Sequence, residues 1–208
     1  MRASQIALLA LLPSTAFAWP QDKEWLPVQQ NGSDMTDPVR DHLHTDVTLG
    51  DHLDFVGDSQ DLVFEWSSDM QSLFVRLRLN VDPWDNSTEL KEGSWAIGFE
   101  LDGDTSSIEY VIALNGWEPT INFWEPDING PGVDIDLTRN ATLDNSQASY
   151  RLLESSSSLN GDADWTLDLE ISWSFLQNQM GLTSTAPFGL IAMSGDSYDV
   201  VFPNEEVY

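Results

Sequence analysis

The densest concentration of chemically capable side chains lies in Glu100-Leu101-Asp102-Gly103-Asp104, with Glu109 shortly after. Alternating acids on a tight turn bring hard carboxylate oxygens together, and Ca²⁺ takes about six to eight such ligands. Glu100, Asp102, Asp104 and Glu109 are therefore the candidate metal ligands. The same residues also fit a plain hairpin turn rich in Asp and Gly. They lack the full Asp-x-Asp-x-Asp-Gly order of a helix–loop–helix calcium loop.

A second set is aromatic. Trp84, Trp117 and Trp124 fall in or beside expected loops, next to Asp82, Asp85, Glu118, Glu125 and Asp127. An exposed indole can stack on the apolar face of a sugar ring, while neighbouring carboxylates accept its hydroxyl hydrogens. Trp84, Trp117, Glu118, Trp124 and Glu125 are the candidate ligand-binding residues. The competing reading makes these rings caps over the ends of a fold, since Trp is mostly buried. Trp66, Trp95 and Trp165 sit in expected strands and read as core.

Other chemistries find less. His42 and His44 share one face of an extended segment and could hold Zn²⁺ with Asp46 or His52; solvated polar residues fit the same spacing. Haem would need an axial ligand from His42, His44, His52, Met70, Met180 or Met193, and nothing singles one out. There is no Gly-x-Ser-x-Gly elbow, no His-Glu-x-x-His and no phosphate-cradling Gly loop. With 35 acidic residues, a carboxylate pair for glycoside hydrolysis turns up anywhere and discriminates nothing. No catalytic residue is assigned.

Composition narrows the classes further. No Cys is present, which excludes disulfides, thiolate metal sites, a Cys nucleophile and a lipidated Cys. The formal net charge is −27, from 35 acids against eight bases. Such a surface repels nucleic acid and anionic lipid and attracts cations. Arg2, the apolar run Ile6 to Leu12, Pro13 and Ala16-Phe17-Ala18 give residues 1–18 the form of a signal peptide cut before Trp19. The run is too short to span a bilayer, and no later stretch resembles a transmembrane segment. The expectation is an exported protein in the periplasm, at the cell surface or outside the cell. Asn31-Gly32-Ser33, Asn86-Ser87-Thr88 and Asn140-Ala141-Thr142 match the glycosylation sequon, though the acidity and lack of Cys lean towards a bacterial source.

The elements that must position these groups are strands. Residues 19–46, with Pro20, Pro27 and Pro38, read as an extended lead-in. From residue 47 to 208 the dominant period is two. Leu73, Val75, Leu77 and Leu79 alternate with Phe74, Arg76 and Arg78, which predicts a half-buried strand. It pairs as a hairpin with Leu62 to Trp66. Trp95, Ile97, Phe99 and Leu101 alternate with Ala96, Gly98 and Glu100. Ile108, Tyr110, Ile112 and Leu114 follow, making 94–115 a second hairpin. Shorter strands are expected at Ile121 and Phe123, at Val133 to Leu137, and as an edge at Tyr150 and Leu152. Trp165 to Ile171 and Phe188 to Ala192 complete the set, with a helix over Ser174 to Met180 ended by Gly181. About eight short strands predict an all-β fold, a single antiparallel β-sandwich with one short helix near the C-terminal third. A membrane β-barrel also alternates, but these strands are shorter than the roughly nine to eleven residues it needs.

Asp54-Phe55-Val56-Gly57-Asp58, then Phe74 to Leu79, Gly93 to Asp104, Ile108 to Ile112 and Asp164 to Trp173 follow one another in an order that resembles the DOMON-like sandwich superfamily, which includes family 9 carbohydrate-binding modules. That resemblance implies a jelly-roll-like sandwich and binding of sugar or haem rather than catalysis; a shared fold does not transfer function by itself. The leading expectation is an exported, non-catalytic, carbohydrate-binding sandwich with structural Ca²⁺ and no other cofactor, its partner an extracellular glycan or envelope component. The alternatives are a structural or protein-interaction component with no small ligand, and a hydrolase of unknown mechanism.

Overall fold

A computed structural model describes residues 19–21, 24–30, 32–35, 50–86, 88–103, 108–127, 136–159, 161–195 and 205–207. The expected signal peptide, His42, His44, Asp104 and Val133 to Ile135 lie outside the described residues.

Alternation becomes two antiparallel sheets. The first strands are β1 (Leu26–Pro27), β2 (Gln29–Gln30), β3 (Ser33–Asp34), β4 (Phe64–Ser68), β5 (Ser72–Leu79), β6 (Trp84–Asn86) and β7 (Glu89–Leu90). Then follow β8 (Ser94–Glu100), β9 (Tyr110–Asn115), β10 (Thr120–Asp127), β11 (Asp136–Thr142), β12 (Ala148–Glu154), β13 (Trp165–Ser172), the helix α1 (Trp173–Met180), β14 (Gly189–Gly195) and β15 (Glu205–Val207). One sheet runs β1-β4-β5-β13-β12 and the other β11-β10-β9-β8-β14-β15; β2-β3 and β6-β7 are small separate hairpins. The chain crosses between the large sheets after β5, after β11 and after β13, which gives the sandwich its jelly-roll-like course.

Both expected hairpins are present: β4 pairs with β5, and β8 with β9. The first is closed by Asp69, whose Oδ1 accepts from the N–H groups of Gln71 (2.7 Å) and Ser72 (2.8 Å), an Asp side chain standing in for a turn carbonyl. The inward faces of the two sheets meet in one core that includes Leu73, Val75, Leu77, Trp95, Ile97, Phe99, Ile112, Leu167 and Leu169. Burying each such side chain contributes about 1.5–3 kcal/mol. The helix caps this core with Trp173, Phe175, Leu176 and Met180. Ser172 Oγ accepts from the Phe175 N–H at its start, and Gly181 (φ 70°) ends it, so the expected helix begins one residue earlier than its sequence pattern suggested.

The outer faces differ from expectation. Strand β5 is buried at all eight positions, not half-buried. Asp168 on β13 stands opposite Arg76 on β5 and Arg151 on β12. Arg76 Nε and Nη2 donate to the two Asp168 oxygens at 2.6 and 2.9 Å, and Arg151 Nε donates at 2.8 Å. The lead-in covers them: the Arg76 guanidinium lies 4.2 Å from the Trp25 ring centroid, and that of Arg151 lies 4.6 Å from Trp19. Trp19 also meets Phe74 at 5.8 Å, and Leu26–Pro27 adds a two-residue edge beside β4. Arg78 is likewise held, donating to Ser155 Oγ (2.7 Å) and Ser157 Oγ (2.5 Å). Three of the eight basic residues are therefore engaged by the fold's own acceptors.

Candidate functional site

The β8–β9 connection folds the predicted acids together. Carboxylate oxygens of Glu100, Asp102 and Glu109 lie within 4.8 Å of one another. Glu100 stands at the end of β8, where Gly103 (φ 87°) donates its N–H to Glu100 Oε1. Glu109 Oε2 accepts from the Leu101 N–H at 2.8 Å. Each glutamate thus uses one oxygen to shape the turn and presents its carboxylate to the others. Three of the four proposed metal ligands converge; Asp104, the fourth, is outside the described residues. The donor set is all hard oxygen, the kind Ca²⁺ selects.

The predicted aromatic set separates. Trp117 lies half-buried along a groove of about 680 Å³ whose walls include Leu90, Pro119, Asp85, Thr88, Glu89, Lys91 and Glu92. A turn fixed by Asn115 positions it: Asn115 Oδ1 accepts from the N–H groups of Trp117 (2.9 Å) and Glu118 (3.3 Å). Gly116 donates to the Gly93 carbonyl at 2.7 Å. A Cβ at Gly116 would run into the Lys91 carbonyl oxygen, so only glycine lets the two loops approach this closely. The opposite wall is the β6–β7 hairpin, where Asn86 Oδ1 accepts from Thr88 N–H (3.0 Å) and Glu89 N–H (3.2 Å). Lys91 Nζ donates to the Asp82 carbonyl at 2.6 Å.

Trp84 stands opposite Leu90 in that hairpin and packs half-buried against the main core. Trp124 is only 4 % exposed, so its ring offers no open face. It lies mid-strand on the outer side of the six-stranded sheet, among Ala96, Val111, Ala113, Ile191 and Met193. Loop placement for Trp124 is therefore corrected, because this outer face is apolar where alternation suggested a wet one. Glu118 and Glu125 are exposed, and neither is among the residues that line the Trp117 groove. Sequence reasoning missed Glu89, Glu92 and Thr88, which join Trp117 only through the Gly93–Gly116 contact.

Behind the groove, His52 lies edge-on to Trp95 with ring centroids 6.0 Å apart, and its Nε2 meets the Glu92 carbonyl oxygen at 2.7 Å. Desolvation holds its pKa below the ordinary histidine value, against the opposing pull of that hydrogen bond. A neutral ring with its proton on Nε2 satisfies the contact, since a carbonyl can only accept.

Among the described residues no helix is long and apolar enough to cross a membrane. No family model, curated protein or solved structure matches the chain.

Proposed function

We propose that the protein is an exported, non-catalytic sandwich module that binds carbohydrate in the Trp117 groove and carries a structural Ca²⁺ at the β8–β9 turn. The observation that carries the reading is the groove itself. Trp117, Pro119 and Leu90 give an apolar wall, and Asp85, Glu89, Glu92 and Thr88 offer oxygens beside it. A pyranose has the same two-sided character: axial C–H bonds on one face, and hydroxyls at its edge. The C–H face packs on the indole, and the carboxylates accept the hydroxyl hydrogens. Three acids in the wall repel carboxylated or sulfated glycans, so neutral polysaccharide is the fitting class. The sequence resemblance to DOMON-like sandwiches is in keeping with this reading.

Trp117→Ala is expected to weaken polysaccharide binding more than tenfold, the loss typical of a central aromatic anchor, while the melting temperature moves little because the ring is half-exposed. A glycan array and pull-downs check this. Binding that survives Trp117→Ala, or no binding to any neutral glycan, would overturn the reading.

Calcium has its own test. Three carboxylates crowded within 4.8 Å repel one another, and a divalent cation converts that repulsion into attraction. Saturating Ca²⁺ at about 100 times its Kd would add about 2.7 kcal/mol, raising the melting temperature by roughly 5–10 °C in a domain of this size. Glu109→Gln is expected to abolish the rise. An identical melting curve in Ca²⁺ and in EDTA would refute the metal.

A further inference from the structure

We infer that a second binding site, separate from the Trp117 groove, lies at one end of the five-stranded sheet and takes a primary ammonium carried on a small hydroxylated body. Three connections meet there: the β4–β5 turn, the entry to β12 and the β13–α1 junction. They enclose a cavity of about 430 Å³, within the range of about 300–1,000 Å³ usual for small-molecule sites.

The direction of its hydrogen bonds defines what it can receive. Glu170 on β13 is half-buried at the cavity wall. Its Oε1 accepts from Ser72 Oγ on β5, and its Oε2 from Ser149 Oγ on β12, each at 2.9 Å. A hydroxyl has one proton, and each serine has committed its proton to Glu170. Towards the cavity, Ser72 and Ser149 therefore present lone pairs, as do the remaining sites on the Glu170 oxygens. All three side chains are acceptors held in place by one another, and a ligand must supply the donors. Side-chain amides of Gln71 and Gln147 extend the polar wall, and the small exposed edge of the otherwise buried Trp173 supplies an apolar one.

Charge narrows the class. Glu170 is the only ionisable group among the described residues that line the cavity, and none is Lys, Arg or His. Phosphate, sulfate and carboxylate ligands would meet one carboxylate and no cation, so they are excluded. A neutral polyol can donate to the serines and to Glu170, but only a cation adds direct charge attraction to Glu170. An ammonium brings three donors and a positive charge to one carboxylate between two acceptors.

The probes are glucosamine, glucose and glucuronate, titrated calorimetrically near neutral pH. A chain of formal charge −27 attracts any cation diffusely, so the titrations are run at about 0.15 M salt and again at several-fold higher salt, where long-range attraction is screened. The expected order is glucosamine above glucose, with glucuronate silent, and the preference persists at high salt. Glu170→Gln, which removes one charge and keeps an acceptor oxygen, is expected to weaken glucosamine about tenfold or more and leave glucose little changed. Trp117→Ala is expected to leave glucosamine binding intact, which separates this site from the groove. If Glu170→Gln fails to fold, Ser149→Ala serves: it removes one acceptor at the sheet edge and is expected to weaken glucosamine several-fold. Equal binding to the wild type and these variants would show diffuse attraction and overturn the site. So would binding of glucuronate, loss of glucosamine binding in Trp117→Ala, or no glucosamine binding at all.

Discussion

Asp168→Ala is expected to destabilise the protein by about 3–5 kcal/mol, the usual cost of removing one member of a buried, hydrogen-bonded ion pair. Asp168 is fully buried, the Arg76 side chain is 10 % exposed and that of Arg151 is 28 %. Removing the carboxylate takes the bidentate acceptor from one guanidinium in a covered site and an acceptor from a second. Water cannot readily take its place, because the Trp25 ring lies over Arg76. A stability of about 5–15 kcal/mol is normal for a domain, so the loss is a large share of the total. Urea unfolding measures it as a fall in midpoint at unchanged slope. The double change Arg76→Met with Asp168→Leu is expected to recover part of the loss, since a buried pair replaced by apolar groups of similar volume is often neutral or better, while Arg151 still loses its acceptor. A loss below about 1 kcal/mol for Asp168→Ala would mean that the site opens to water on its own, and that Trp19 and Trp25 do not seal it.

That network marks where sequence reasoning stopped. Alternation told which side of β5 carries Leu73, Val75, Leu77 and Leu79, and that side is the core. It could not tell what lies over the other side. Arg76 and Arg78 read as a wet face because alternation does not show what covers them; Trp25, some fifty residues earlier, lies over Arg76, and Ser155 and Ser157, far later in the chain, hold Arg78. Trp124 failed for the same reason, with small residues such as Ala96 and Ala113 making room for it on an outer face. The acidic turn was legible because it is local: a strand, a tight turn and a strand must fold Glu100, Asp102 and Glu109 back on one another. The groove was half legible. Trp117 could be named from its turn, but Glu89 and Glu92 reach it only by the contact of two loops in which Gly116 permits the approach. The Glu170 cavity gave no local signal, because Ser72, Ser149 and Glu170 come from three strands that alternation alone does not align.

The second large effect joins the core to the groove. Trp95→Ala is expected to cost about 3–5 kcal/mol, the usual range for emptying a buried aromatic site. Trp95 sits in β8 with no exposed surface and heads the fully buried side chains by size. Its indole Nε1 donates to the His52 carbonyl at 2.9 Å. From there the chain of contacts runs outward: the His52 ring holds the Glu92 carbonyl, and neighbouring Gly93 accepts from Gly116, beside Trp117. Trp95→Phe separates volume from anchoring. It keeps most of the packing but takes that donor from the part-buried His52 carbonyl, a loss of about 1–2 kcal/mol. Because the loop of Glu92 and Gly93 forms one wall of the groove, Trp95→Phe is also expected to weaken neutral-glycan binding several-fold, although Trp95 does not line the groove. Thermal unfolding and glycan titration of the two variants test this together. If Trp95→Phe melts lower but binds glycan as the wild type does, the groove is held by Asn115 and Gly116 alone. If it loses both, the rigidity of the Trp117 site is set from inside the sandwich.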